Sequence, residues 1–508
     1  MTALGLDIGT TNVKAVLVDD AGEIVACAAQ PLVTTLVDGT AEQDPRAIWD
    51  AVLSAIGAIR AAASLGSVTA IGIDSQYSST IPVDINGEPV GPCVLYLDHR
   101  GTDHSHAIFG RHDEAFMTWI ERHGIPPVGG GLSLAHMLYF QFDQPEIHNQ
   151  THAYVEVMDY VAARLTGVVA ATQCTMFTSQ LCDNRSIGTV DYDADLVAMS
   201  GIDASRLPPL APNTAPRGRV RSVLAAELGL RDDVLVVAPL NDSHAGAVAT
   251  SCFEAGVTGV MIGTTAVILD TVTEMSADYD RELLTMPTPE VGHYLVWAEN
   301  GLAGRVVARV LESILHADDA LGDHSTDDAF VNLDAALTAS RPGADGVLFL
   351  PWLSGSMSPA VDHNMRGGFL GLSLTTDRVD LVRAMVEGTA HNLAWLLSAV
   401  ERFTGQSTDV IVFGGGAARS SGWGQTLADV LDRPVEPVAD PEFAVARAVG
   451  ALAHNRVHAE PVPSARRRGT RFDPNPRHRD RYAEHQSRFE AVFEALRPIW
   501  QAATHARS

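Results

Sequence analysis

Gly5-Leu6-Asp7-Ile8-Gly9-Thr10-Thr11-Asn12-Val13-Lys14 opens the chain, and it has an echo. Gly259, Ile262, Gly263, Thr264, Thr265 and Val267 repeat Gly5, Ile8, Gly9, Thr10, Thr11 and Val13 at the same spacing, half of the 508-residue length further on. An apolar run follows each copy, Ala15-Val16-Leu17-Val18 in the first and Ile268-Leu269 in the second. Strand, tight Gly-Thr-Thr turn, strand is the pattern of a β-hairpin. Its recurrence at half length predicts two related domains facing each other. Each turn would offer backbone N–H groups and hydroxyls to a phosphate. The copies differ in chemistry, because Asp7 in the first is Met261 in the second. Only the first could hold a metal through a carboxylate. Lys14 is the one lysine in the chain, and it supplies a compact point charge beside the first turn.

Composition narrows the function. Apolar residues make up 46% of the chain, enough for sizeable cores, and the formal net charge is −27. So acidic a chain is a poor partner for nucleic acid or for an anionic membrane. A phosphate-bearing substrate must then be held by a local site. Cys27, Cys93, Cys174, Cys182 and Cys252 are scattered without metal-ligand spacing, which suits a reducing compartment. The chain enters a strand at once, without a charged-then-apolar leader, and no apolar run reaches the roughly 20 residues of a membrane span. A cytoplasmic protein is expected.

Strands alternate with helices along the chain, so the class is α/β. Asp44-Pro45 opens a helix, and Val68 to Ile73 is a buried strand ending at Asp74-Ser75-Gln76-Tyr77. A strand from Cys93 ends at Asp98, and Val234 to Pro239 leads to Asn241-Asp242. Residues 300–340 read as helical, and Val410 to Phe413 runs into Gly414-Gly415-Gly416-Ala417 and a further helix. A basic, polar stretch over 464–481, including Arg466-Arg467-Arg468, precedes a short closing helix and reads as a solvated face. The expected domains are 1–250, 257–460 and a tail over 461–508. Ligands of α/β sheets gather at strand carboxyl ends. Asp7, Asp74, Asp98 and Asp242 all stand at or near such ends.

These motifs together resemble the FGGY family of carbohydrate kinases. The first hairpin resembles its first phosphate motif, and Asn241 to Ala247 the segment with its catalytic aspartate. Gly263-Thr264-Thr265 resembles the second phosphate motif. Gly355-Ser356-Met357-Ser358-Pro359 with Arg366 to Leu372 resembles the second-domain signature. Gly415-Gly416-Ala417, with Trp423, Gln425 and Asp429, resembles the adenosine motif. The resemblance implies two actin-like, ribonuclease H-like domains with ATP in an interdomain cleft. It implies Asp242 as general base and Asp7 as holder of Mg2+ through water. Thr10, Thr11, Asn12 and Lys14 would contact ATP phosphates, with Gly263, Thr264 and Thr265 closing from the other domain. Gly415, Gly416 and Ala417 would lie against the adenosine, with the next helix N-terminus favouring its phosphates. A Walker A sequence is lacking, which argues against a P-loop kinase.

The substrate side departs from the family pattern. Where xylulokinases resemble one another in Gln-Met-His-Gly, this chain has Gln76-Tyr77-Ser78-Ser79, and the family's usual signature glutamate is Ser356. Gln76, Tyr77 and Asp98, beside Asp242, are expected to face the sugar. A xylulose-like ketose or another polyol of about four to six carbons is the leading expectation; a sugar acid such as gluconate, or a silent binding protein of the same fold, is the alternative. The oligomeric state is not readable, so a homodimer stays open.

Overall fold

The computed structural model describes residues 1–508 except 38, 290–291, 321, 325, 327, 460–467 and 506–508. Arg466 and Arg467 of the basic stretch therefore lie outside the described residues. Two sheets of one plan organise the rest. The first runs Ile24–Pro31, Asn12–Val18, Thr2–Ile8, Val68–Ser75, Leu235–Val236. Its first two pairings are antiparallel and the next two parallel. The second runs Tyr294–Leu302, Thr265–Val272, Val257–Ile262, Val410–Gly414, Val435–Pro437, with the same directions in the same places.

Each sheet covers one face with helices of its own half. Helix Pro45–Ala62 starts where Asp44 accepts the Arg46 amide at 2.9 Å, and it buries Ile48, Val52, Ile56 and Ile59. The spacing of these four is the apolar stripe of a core-facing helix. Helix Arg378–Thr404 does the same in the second half, under a capping box of Asp377 and Asp380.

The other faces are covered by exchange. Helix Asp242–Thr250, from the first half of the chain, packs on the second hairpin, while helix Ala444–His458, which follows the second sheet, packs on the first. The two helices also touch each other and bury Ala245 and Val449 between them. The leading glycine of each repeat is explained here. A Cβ on Gly5 would stand 1.8 Å from the Ala446 carbonyl oxygen, and one on Gly259 would stand 2.3 Å from Thr250 Oγ1. Only glycine permits either approach.

Five features differ from the sequence reading. The strand from Cys93 stops at Val94, and the run from Val234 forms two short strands, Leu235–Val236 and Leu240–Asn241, in place of one. The second turn is one residue tighter than the first, although both read Gly-Thr-Thr. Ile8 pairs with Val13 and the Gly9 amide reaches the Asn12 carbonyl, whereas Ile262 pairs with Ala266 and the Gly263 amide reaches Thr265. Residues 300–340 are only partly helical: Gly304–Val310 and Leu333–Ala339 flank a small hairpin of Asp318–Asp319 and Gly322–Asp323. The Asp- and Gly-bearing run between them lacks apolar periodicity. The closing helix is long, Arg479–His505, and Phe489 and Phe493 anchor it on Trp352. Among the described residues no helix is long and apolar enough to cross a membrane.

Candidate active site

Three carboxylates and one ammonium meet at the first hairpin. Asp7 and Lys14 are cross-strand partners, with Nζ 3.9 Å from Oδ2. Asp74 is the in-register neighbour of Asp7 on the parallel strand, so both side chains leave the same face. Asp74 is fully buried and neither of its oxygens has a hydrogen-bond partner. Strand Leu240–Asn241 pairs beyond it and delivers Asp242 to the same carboxyl edge. Asn241 caps the next helix by accepting the His244 amide at 2.8 Å.

The acids raise one another. Desolvation is the main force on each: Asp74 is held well above the usual carboxylate range, with Asp7 and Asp242 adding to it and Lys14 opposing. Asp7 is raised by desolvation, against the pull of Lys14. Asp242 is open to water in the cleft yet surrounded by protein on its other sides; it is pushed up to about 6, against a hydrogen bond from the Ser243 amide and with help from Asp7. An unpartnered buried carboxylate beside two others calls for a cation. Among the described residues no three acidic, His or Cys side chains converge closely enough to cage an ion unaided. That donor set fits a hydrated Mg2+, which takes one or two carboxylates and completes its shell with water and phosphate oxygens.

A cavity of about 600 Å³ lies on the second domain, and Gly263, Thr264, Gly416 and Ala417 line it together. Gly415, next to the lining Gly416, has φ of 84°, and a Cβ there would be 2.4 Å from the Ile262 carbonyl oxygen. Thr265 begins the strand behind the turn. Arg305, Phe330 and Asp334 complete the walls, and no sequence signal marks them. The helix N-terminus expected to face the phosphates does not stand free. The N-terminus of helix Ser421–Leu431 is already satisfied by protein, since Asp334 accepts the Ser421 and Gly422 amides at 3.2 Å and Ser420 accepts the Trp423 amide. Asp429, in the same motif, accepts the Asn475 amide and His478 and thereby docks the closing segment.

Across the cleft, Thr10 and Asn12 are half-buried and Thr11 is exposed. A relay joins this turn to the substrate side. Gln43 Nε2 donates to the Thr10 carbonyl at 2.8 Å, and Gln76 Nε2 donates to Gln43 Oε1 at 2.7 Å. Tyr77 is half-buried and its hydroxyl donates to the Cys174 carbonyl at 2.9 Å. Ser78 donates to the Gly131 carbonyl, which ties the glycine run to this strand end. Asp98 does not stand free for a sugar. It is 1% exposed and accepts from the Ala41 amide and from the Arg100 amide and guanidinium, which holds its carboxyl below the usual range. Arg100 in turn reaches Glu42 and Tyr139. Asp98 is thus an anchor within the wall, because a fork two residues away saturates it.

Residues 2–249 match the N-terminal domain, and residues 259–455 the C-terminal domain, of the FGGY family of carbohydrate kinases. The chain belongs to this family. As an FGGY kinase it is an ATP-dependent phosphotransferase acting on the alcohol group of a sugar or polyol. It is 26% identical to a xylulose kinase of Staphylococcus epidermidis over 98% of this chain and 97% of that one. It is 24% identical to a gluconokinase of Bacillus subtilis over 85% and 83% of the respective chains. The structure of a xylulose kinase from Rhodospirillum rubrum superposes with a TM-score of 0.84 at 25% identity, covering 99% of this chain and 100% of that one. The two-domain, actin-like fold of this FGGY kinase is thereby the fold of its relatives.

Proposed function

We propose that this FGGY kinase transfers the γ-phosphoryl group of ATP to a terminal hydroxyl of a short ketose or polyol, a xylulose-like ketose first, with Asp242 as general base. The carrying observation is Asp242 itself, which ends the pairing edge of the first sheet with its carboxylate open to the cleft. Its upward shift to about 6 places a basic, ionisable carboxylate near neutral pH, where a base works best. The substrate oxygen forms a bond to Pγ, the Pγ–O bond to ADP breaks, and the hydroxyl proton passes to Asp242. Thr10, Thr11, Asn12 and Lys14 hold the phosphates from one side, and Gly263, Thr264 and Thr265 from the other. Gly415, Gly416 and Ala417 receive the adenosine end. Gln76 and Tyr77 face the sugar. Asp7 and Asp74 would hold Mg2+, which supplies charge neutralisation on the phosphates. Residues 251–256, with Ser251 and Gly256 at positive φ, form the hinge on which the domains close. Both walls come from one chain, so the site is complete without a second subunit. Five free cysteines support a cytoplasmic setting.

Asp242→Asn tests the assignment. The amide keeps the shape and removes the base, so turnover should fall by roughly 10²–10⁴. The KM for ATP should stay within a few-fold. Near-normal ADP release from the variant would remove Asp242 from the role.

A further inference from the structure

A second cavity, about 380 Å³, lies between the domains. The first domain contributes Phe116 and Ile125, and the second contributes Tyr279, Glu282, Trp297 and Glu299. No Lys, Arg or His lines it. Glu299 reaches this place through strand register. It pairs with Val267, two residues beyond the Gly263-Thr264-Thr265 turn, so it stands beside the phosphate-facing end of the second hairpin. Its side chain is half-buried and makes no hydrogen bond or ion pair with the described residues. Glu282 sits in the same wall, on a residue with φ of 50°. Asp242 is close enough that its charge, after desolvation and ahead of Glu282, raises Glu299 to about 7. The same two charges, Glu299 before Asp242, act on the Tyr96 hydroxyl after desolvation.

Such a pocket has a definite preference. Carboxylates accept hydrogen bonds and offer none when ionised. Paired hydroxyls satisfy them, and the aromatic rings of Trp297 and Phe116 cover the C–H face of a carbon chain. An anionic group has no partner here. It would meet Glu299 and Glu282 in the lining, within reach of the charge of Asp242, in a partly desolvated space. At an effective dielectric of about 20 and a separation of about 6 Å, one contact with a fully ionised carboxylate weakens binding roughly 100-fold, and less where the carboxyl is partly protonated.

We propose that Glu299 is a specificity-determining, substrate-binding residue that selects uncharged polyhydroxy substrates and rejects sugar acids. The proposal rests on the kinase reading above, and it separates neutral ketoses and polyols from the sugar acids that the sequence held as the alternative. Glu299 accepts hydroxyls of the substrate remote from the one phosphorylated, and Glu282 supports the same field from the rim.

The experiment compares the intact wild-type chain, Glu299→Gln and Glu299→Arg. The probes are D-xylulose, xylitol, glycerol and D-gluconate, followed by ADP release and by calorimetric binding. Wild type should prefer the best neutral probe over gluconate by at least 100-fold in kcat/KM. Glu299→Gln should raise the KM for that probe roughly 10-fold and leave kcat and the KM for ATP within a few-fold. Glu299→Arg should narrow or reverse the preference against gluconate; unchanged ATP binding shows that either variant is folded. Gluconate used as well as neutral probes by wild type overturns the proposal, and so does an unchanged KM in Glu299→Gln. Failure of the kinase reading looks different. No probe then drives ADP release in wild type, yet calorimetry still reports whether neutral polyols bind ahead of gluconate and whether Glu299→Gln weakens them.

Discussion

The two hairpins share a nine-residue pattern and diverge in what they hold. In the first, Asp7 pairs with Lys14 on one side and Asp74 on the other. At the matching place in the second, Met261 pairs with Val267 and Gly414. A Cβ on Gly414 would be 2.4 Å from Met261 Sδ, so the thioether already fills the space that a carboxylate pair fills in the first domain. One hairpin is an ionic site and the other a packed floor beside an open nucleotide cavity. Duplication of a backbone plan therefore did not duplicate its chemistry. The turn sequence was kept on both sides, since both turns face phosphate in the proposed reaction. The cross-strand pair was kept on one.

Exchanging the two chemistries should break this asymmetry in one direction only. Asp7→Met should lower kcat by roughly 10²–10³, the size expected when one electrostatic contact to the transition state is lost. Met261→Asp should lower kcat less than tenfold. It should instead cost about 1–3 kcal/mol of stability, because it buries a carboxylate without a partner. Steady-state kinetics with a denaturant titration separates the two. Equal kinetic losses would show that both hairpins carry the ionic chemistry.

Lys14 gives a smaller and more selective probe. A lysine-acylating reagent can reach only Lys14 and the N-terminal amine, and the Lys14 side chain is 28% exposed. Its modification should cost roughly 10- to 100-fold in kcat/KM for ATP, the worth of one charged hydrogen bond. Mg-ATP should protect, and sugar alone should protect little. Full acylation of Lys14 without loss of activity would leave the first hairpin no more ionic in function than the second.

The smallest expected effect is thermal. Asp74 is protonated more readily in the folded chain than unfolded, since its folded pKa is raised. Between the unfolded value, about 4, and the raised folded value, the folded state binds the extra proton. Stability is then lost as pH rises through that window. Asp74→Asn removes this loss. In EDTA it should melt above wild type by roughly 2–4 °C at pH 8, about 1 kcal/mol, and by less at pH 5. Added Mg2+ should shrink the gap by stabilising wild type alone. A gap independent of pH and of Mg2+ would mean that Asp74 is neither ionised nor facing a cation.

The sequence was most readable where the chain has least freedom. A Gly-Thr-Thr turn between strands admits few structures, and its repetition revealed the domain plan before any contact was known. Asp44-Pro45 was legible for the same local reason, whereas the run from Val234 to Asn241 reads as one strand and is two, Leu235–Val236 and Leu240–Asn241. The exchange of helices was not, because which helix covers which sheet depends on partners hundreds of residues apart. Asp98 misled because the run from Cys93 reads as a strand ending at it, whereas the strand is only Cys93–Val94 and the fork of Arg100 occupies the carboxylate. Glu299 left no trace, since one charged residue in an alternating strand reads as a solvent-facing position. Asp334 was silent too, for its role is to cap a helix that begins 87 positions later.

The exchanged helices also set an order of events during synthesis. Gly5 leaves the ribosome early, and Ala446, whose carbonyl it packs beneath, is made 446 − 5 = 441 residues later. At typical elongation rates of about 5–20 residues per second, the inner face of the first sheet waits roughly 20–90 s for its cover. During that interval Ala3, Val16 and Ala70 lack the cover of Ala446 and Ala453. The N-terminal domain of this kinase is thus translated before the C-terminal one, yet the inner face of its sheet is covered only by a helix made after the second sheet.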